Sequence, residues 1–152
     1  MFWLPAVNFT LITLMLLYIS WQDIRSRTIT HRSLLFLLLS LLPLLFFLNW
    51  PINAIAAMVI FICGFMLFCL NILGGGDVKL IALLALFIPD GMVACYLLLM
   101  SLLGGIIVLI GLVFFRHSMR ENGVPYGVAI SGSFILLIPL FTSSDNLVGI
   151  IK

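Results

Sequence analysis

Charge is what this chain of 152 residues lacks. Asp, Glu, Lys and Arg together make up 8% of it, against about 25% in a soluble domain. Hydrophobic residues make up 64%. No water-soluble core of this length hides so much apolar surface, so the expected solvent is lipid. No basic cluster interleaved with aromatics is present, which argues against a nucleic-acid partner. The three cysteines, Cys63, Cys69 and Cys95, form no C-x-x-C pair, so neither a metal site nor a disulfide framework is indicated. They read as small hydrophobes packed within the membrane. A positive N-terminal region is also missing: the first basic residue is Arg25. A cleavable signal peptide needs that region, so the first apolar stretch reads as a retained span.

What is present is a series of apolar runs. A bilayer core takes about 20 apolar residues per helix. Six stretches approach this: Pro5–Ser20, Ser33–Leu48, Asn53–Leu73, Val78–Ile88, Met92–Phe115 and Gly127–Phe141. The fourth is short. The expected fold is all-α, a polytopic membrane protein of about six transmembrane helices. Trp3, Trp21 and Trp50 fall at span ends, where an interfacial aromatic belt lies. Loops one, three and five carry Arg25, Arg27, Arg32, Lys79, Arg116 and Arg120, while the opposite side has only Lys152. The positive-inside rule therefore places those loops in the cytoplasm and both termini away from it.

Five acidic residues exist: Asp23, Asp77, Asp90, Glu121 and Asp145. Asp90 belongs to a Pro-Asp-Gly turn, Glu121 to a polar loop, and Asp145 to the polar C-terminal stretch. Asp23 and Asp77 differ. Each sits at the cytoplasmic boundary of a span, where an ionisable group is expensive unless paired or hydrated and is a functional candidate. The plainer alternative pairs Asp23 with Arg25 or Arg27, and Asp77 with Lys79, as anchors. Asp77 follows Gly74, Gly75 and Gly76. Three glycines are expected to interrupt a helix, and they permit positive φ and close backbone approach. The G-x-x-x-x-G-K spacing of a phosphate loop is absent.

Two convergent carboxylates share one proton, because like charges in contact cannot both ionise. One can then activate water while the other protonates a scissile carbonyl. The pair titrates as a unit.

These residues carry a resemblance. Gly74-Gly75-Gly76-Asp77-Val78-Lys79-Leu80 fits the G-x-G-D-x-K-L motif of the type IV prepilin peptidases, membrane aspartic proteases. Asp23-Ile24-Arg25-Ser26-Arg27-Thr28-Ile29 is similar to that family's first aspartate motif, D-x-R-x-R-x-I. Val124-Pro125-Tyr126-Gly127-Val128-Ala129-Ile130 resembles the segment that opens its last span. The chain looks most like the short members that serve tight-adherence (Flp-type) pili. One departure exists: Thr30-His31 stands where the family usually has Pro-Asn. His31 reads as a cap or surface residue rather than a base.

The resemblance implies one transmembrane peptidase domain over residues 1–152, in the bacterial inner membrane. It implies Asp23 and Asp77 as the catalytic pair, working at the cytoplasmic face without metal or cofactor. The implied substrates are prepilins and pseudopilins, cut after a glycine that follows a basic leader. N-methylation, which longer members perform with an extra domain, is not expected. Gly74 and Gly76 are supporting candidates. Lys79 is a candidate holder of a substrate carboxylate or a snorkelling anchor. Tyr126 is a candidate hydrogen-bond donor in the site or an interfacial aromatic. Gly104, Gly105 and Gly111 read as helix-packing positions, and Asn71, Ser131 and Ser133 as interhelical hydrogen-bonders. The alternative reading is a small transporter or channel component with a paired-Asp proton or cation site.

Overall fold

The computed structural model describes residues 3–26, 28–48, 52–89, 91–114 and 124–151. Expectations that rest on Arg27, Trp50, Asp90, Arg116, Arg120, Glu121 and Lys152 fall outside them, as do those on the side chains of Trp3 and Asp145. The described residues are all-helical, with no strand among them. The helices are α1 (Trp3–Ser26), α2 (His31–Leu48), α3 (Ala54–Cys69), α4 (Gly75–Leu86), α5 (Val93–Phe114) and α6 (Tyr126–Ile151).

The apolar spacing decides which faces meet. On α1 the buried apolar residues are Phe9, Ile12, Leu16 and Ile19, and Asp23 takes the next place on the same stripe. On α2 they are Leu34, Leu37, Leu41 and Leu44. On α6, Gly127 is buried in register with Ile130, Phe134 and Leu137. Alternating steps of three and four keep one seam of a helix turned toward its neighbours. The packing closes a ring: α1 lies on α2, α2 on α4, α4 on α6, and α6 back on α1. Helix α3 packs on α4 from outside, and α5 packs on α6.

The outer helices present their apolar side chains outward. Helix α3 has no buried residue at all. Ile55, Met58 and Met66 on α3, and Leu98, Leu109 and Val113 on α5, are exposed. So are Cys63, Cys69 and Cys95, which face outward rather than into the core. Each expected span meets a helix, but among the described residues two, Ala6–Ser26 and Val93–Phe114, are long and apolar enough to cross a bilayer. Helix α4 has 12 residues. At about 1.5 Å per residue it rises about 18 Å, short of the roughly 30 Å hydrocarbon core. Helix α6 runs on to Ile151, well past the expected end at Phe141, with Pro139 inside it.

The glycine turn differs from expectation. Helix α3 stops before the glycines, at a Schellman motif. Asn71 takes the left-handed conformation with φ +57°. Its N–H donates to Phe68 O at 2.9 Å, and Ile72 N–H donates to Leu67 O at 3.0 Å. That 5→2 and 6→1 pair satisfies the last carbonyls, and Asn tolerates the left-handed position better than most residues. Asn71 is therefore a helix stop, not an interhelical hydrogen-bonder. Gly74 caps α4 in extended geometry, and Gly75 and Gly76 are already helical. At the far end the α3–α4 hairpin is tied by Asn53 N–H donating to Leu86 O at 2.9 Å.

The ring core and the outer faces make different demands on side chains. Leu84 is fully buried and Leu98 is 59% exposed. Leu84→Ala is expected to cost about 2–5 kcal/mol, and Leu98→Ala within about 0.5 kcal/mol of nothing. Denaturant titration of the two variants in detergent checks the difference.

Candidate functional site

One end of the ring gathers the chain's unusual groups. The C-terminus of α1 and the N-termini of α4 and α6 meet there, so Asp23, Asp77 and Gly127 share that end. Asp23 is buried, 5% exposed, because it continues the core-facing stripe of α1. Its Oδ2 accepts a 2.8 Å hydrogen bond from the backbone N–H of Gly127. Gly127 is the second residue of α6, so its amide is one of the free donors of a helix N-terminus. The carboxylate thus caps a helix 104 positions away in sequence. No side chain fits at Gly127: a Cβ there would stand 2.8 Å from Asp23 Oδ2 and 3.1 Å from Asp23 Cβ.

Asp77 lies in the first turn of α4, ahead of the apolar run that begins at Val78. It is half-buried. Its carboxyl is pushed up from 3.8 to about 7, first by burial and then by the negative charge of Asp23; a hydrogen bond from the Gly74 backbone opposes the shift. That bond is a capping interaction, the third helical residue reaching back to the N-cap amide. The structure therefore places the two carboxylates at one end of the ring, near enough for the charge of Asp23 to act on Asp77.

The loop after α1 is fixed on both sides. Ser33 Oγ donates to Gln22 Oε1 at 2.6 Å and shares a 2.7 Å hydrogen bond with Thr30 Oγ1. Leu34 N–H reaches Thr30 O at 3.3 Å, so Thr30 caps α2, an ordinary task for threonine. The departure from Pro-Asn thus still makes a helix start. His31 is exposed at the head of α2, as expected of a surface residue. Ile29 then lies against Gly76. A Cβ on Gly76 would meet Ile29 Cβ at 3.0 Å and its backbone O at 3.4 Å. Gly76 lets the chain after Asp23 sit directly on the helix that carries Asp77. The need is for space, not for positive φ. Gly74 is similar: a Cβ there would lie 2.9 Å from Asp77 Oδ2.

The other supporting residues fall elsewhere. Among the described residues Lys79 makes no ion pair. It is exposed and lines a cleft of about 210 Å³ between α3 and α4, with Phe61, Phe65, Phe68, Gly75 and Val78. The Tyr126 ring lies on α5, 3.7 Å from the Cβ position of Gly104. Gly104 is a packing position as expected, whereas Gly105 has open space around it. Ser133 Oγ donates to Ile130 O within its own helix at 2.8 Å, and Ser131 Oγ is buried without a partner. Sequence reasoning missed Gly127 as a functional position, since a backbone donor leaves no side-chain signal. Its one trace was a glycine two residues into a helix, where it serves no turn.

The chain matches the model of the Type IV leader peptidase family over residues 10–109. That span takes in both aspartate motifs and stops short of Pro125-Tyr126-Gly127. Comparison with curated proteins and with solved structures finds no match.

The contact at Gly76 yields a prediction. Gly76→Ala forces the backbone at Ile29 to move, at about 1–3 kcal/mol, the usual range for overpacking. Thermal unfolding in detergent is expected to show the loss, and Gly105→Ala, which meets nothing, to show none.

Proposed function

The chain belongs to the type IV leader peptidase family, and from that premise we propose that it is an aspartic endopeptidase in which Asp23 and Asp77 form the catalytic pair. The observation that carries the proposal is the placement of two carboxylates at one end of the helix ring, the charge of one raising the proton affinity of the other. Such a pair holds a single proton across a broad pH range and so presents acid and base together. The ionised member draws a proton from water. The water oxygen attacks the peptide carbonyl, and the protonated member gives its proton to the carbonyl oxygen. Collapse of the tetrahedral diol breaks the C–N bond. The leaving nitrogen takes the proton gained from water, and the diol returns the other to the dyad. One water is consumed, and one acid and one amine are formed.

The substrate reading is a prepilin or pseudopilin, cut between its basic leader and its hydrophobic helix. It is supported by the family and by the apolar cleft beside Asp77, where three phenylalanines and one lysine line the wall. Phe61 and Phe65 stack with ring centroids 6.3 Å apart, giving an apolar side chain a rigid surface. A multi-pass placement in the bacterial inner membrane is supported by the exposed apolar faces of α3 and α5. Such faces are far larger than a soluble monomer carries. With the basic residues on the dyad's side, the site faces the cytoplasm. The reading toward Flp-type pili rests on the resemblance of the Asp23 and Asp77 motifs. The transporter alternative has no counterpart in the family match.

Asp23→Asn and Asp77→Asn, made separately, are each expected to lower prepilin processing by about 10²–10⁴-fold, the usual contribution of general acid–base catalysis. Leader removal followed by gel shift in reconstituted membranes checks this. A variant that cuts at the normal rate would remove the dyad.

The pH dependence follows from Asp77. Its proton is retained up to about 7, so the singly protonated dyad is lost as pH rises through that value. Processing is expected to fall on the alkaline side with a midpoint near neutrality. Stability moves the same way: a carboxyl with raised pKa binds its proton in the folded state over the window from 3.8 to about 7, so ionising it weakens the fold as pH climbs through that window. Initial rates across a buffer series check the limb.

A further inference from the structure

The dyad as described leaves open which carboxyl carries the shared proton. The two sites are not equivalent. Asp23 sits at the tip of α6, with Oδ2 2.8 Å from the Gly127 amide. That amide belongs to the first turn of a 26-residue helix, where the aligned peptide dipoles favour a negative charge. A backbone N–H bonded to a carboxylate stabilises the ionised form. The absence of a side chain at Gly127 is what makes the bond possible, because a Cβ would occupy the carboxylate's position.

Asp77 has a local cap from Gly74, yet burial and the Asp23 charge outweigh it, and its proton stays to about pH 7. The Gly127 bond and the helix start thus favour negative charge on Asp23, and that charge is one of the causes that hold the proton on Asp77. The charged or titratable groups around Asp23 come from several elements. Asp77 faces it from α4, with Lys79 exposed beyond. Exposed Arg25 follows on α1, and exposed His31 and Arg32 open α2. On α6 the neighbouring titratable group is Tyr126, whose ring is engaged with α5. Asp23 has further interactions besides the amide bond, and the amide is the one that joins it to α6.

Resting on the reading of Asp23 and Asp77 as a catalytic pair, we propose that the Gly127 amide is a positioning group that fixes their roles. It holds Asp23 as the carboxylate that deprotonates water, and so leaves Asp77 as the carboxyl that protonates the scissile carbonyl oxygen. The order is built into the fold, before substrate arrives. In the forward step Asp23 gains the proton of water and Asp77 loses its own. In collapse Asp23 passes its proton to the leaving nitrogen and Asp77 regains one from the diol.

The test is the pH profile of processing for Gly127→Ala, with Gly104→Ala as control. A Cβ at Gly104 meets neighbours only at ordinary contact distances, so that variant keeps the wild-type profile. Gly127→Ala pushes the carboxylate off the amide. The acidic limb, where Asp23 takes up a proton, is expected to move up by about one pH unit, the share of one bond where two or three backbone N–H bonds hold a carboxyl far below its usual range. The alkaline limb stays near neutrality. A loss of rate with both limbs unmoved means that Gly127 serves packing alone and overturns the proposal.

A second measurement does not depend on Gly127 variants folding or on turnover. Infrared spectra of the purified protein near pH 5 carry a protonated-carboxyl band. The proposal expects Asp77→Asn to abolish the dyad's contribution and Asp23→Asn to keep it. Any other pattern overturns the assignment of roles. Failure here, with both Asn variants inactive, leaves the dyad standing, whereas an active Asn variant removes the dyad itself.

Discussion

The structure depends on one constraint: a carboxylate buried at the end of α1 has to find its partners within the protein. Asp23 occupies a core position on its helix, and the apolar stripe that leads to it allows no other orientation. A charge without a partner there would cost far more than any packing gain could offset. The amide of Gly127 supplies that partner. Because the donor is the free N-terminus of another helix, one bond satisfies two requirements, the carboxylate's and the helix's. It also fixes α6 on α1, so the last described helix is tied to the first by a polar contact as well as by its seam. The ring of α1, α2, α4 and α6 closes around it.

The same device recurs at the second carboxylate with a different outcome. Asp77 caps its own helix through Gly74, and the helix start again provides a backbone donor. Here burial and a like charge nearby outweigh the cap, so the group stays protonated to about neutrality. Two similar side chains thus each meet a backbone donor at a helix start, and for Asp77 that donor is outweighed. Burial first, and the charge of Asp23 second, decide this for Asp77. Two carboxylates in contact cannot both be satisfied by ionising, and such a pair titrates as a unit.

Much of this was legible in the chain. The apolar runs located every helix, and the stripe on α1 carries Asp23 inward by simple spacing. The motifs around Asp23 and Asp77 marked the two residues that the fold brings together. What was not legible was backbone chemistry. Gly74, Gly75 and Gly76 read as a helix breaker, yet Asn71 ends α3 and the glycines are needed for space against Asp77, Phe68 and Ile29. Composition signals a break, but it does not say which residue bears the left-handed turn. Gly127 was hidden for a related reason, since its contribution is an amide that all residues but proline possess. Tyr126, beside it, drew attention through a polar side chain and turned out to pack on α5. Helix α6 outran its apolar stretch because hydrogen bonding along a helix does not stop where hydropathy falls.

The two outer helices complete the physical picture. Helices α3 and α5 bury little and contribute little to the ring. Each touches mainly one partner, α4 or α6, and each of those partners starts at the dyad. Those single seams are extensive, and they bind each outer helix to the ring. The cleft lined by the phenylalanines of α3 lies along that seam and borders the first turn of α4. The ring helices carry the two carboxylates, and α3 supplies the aromatic wall of the cleft beside the helix that bears Asp77.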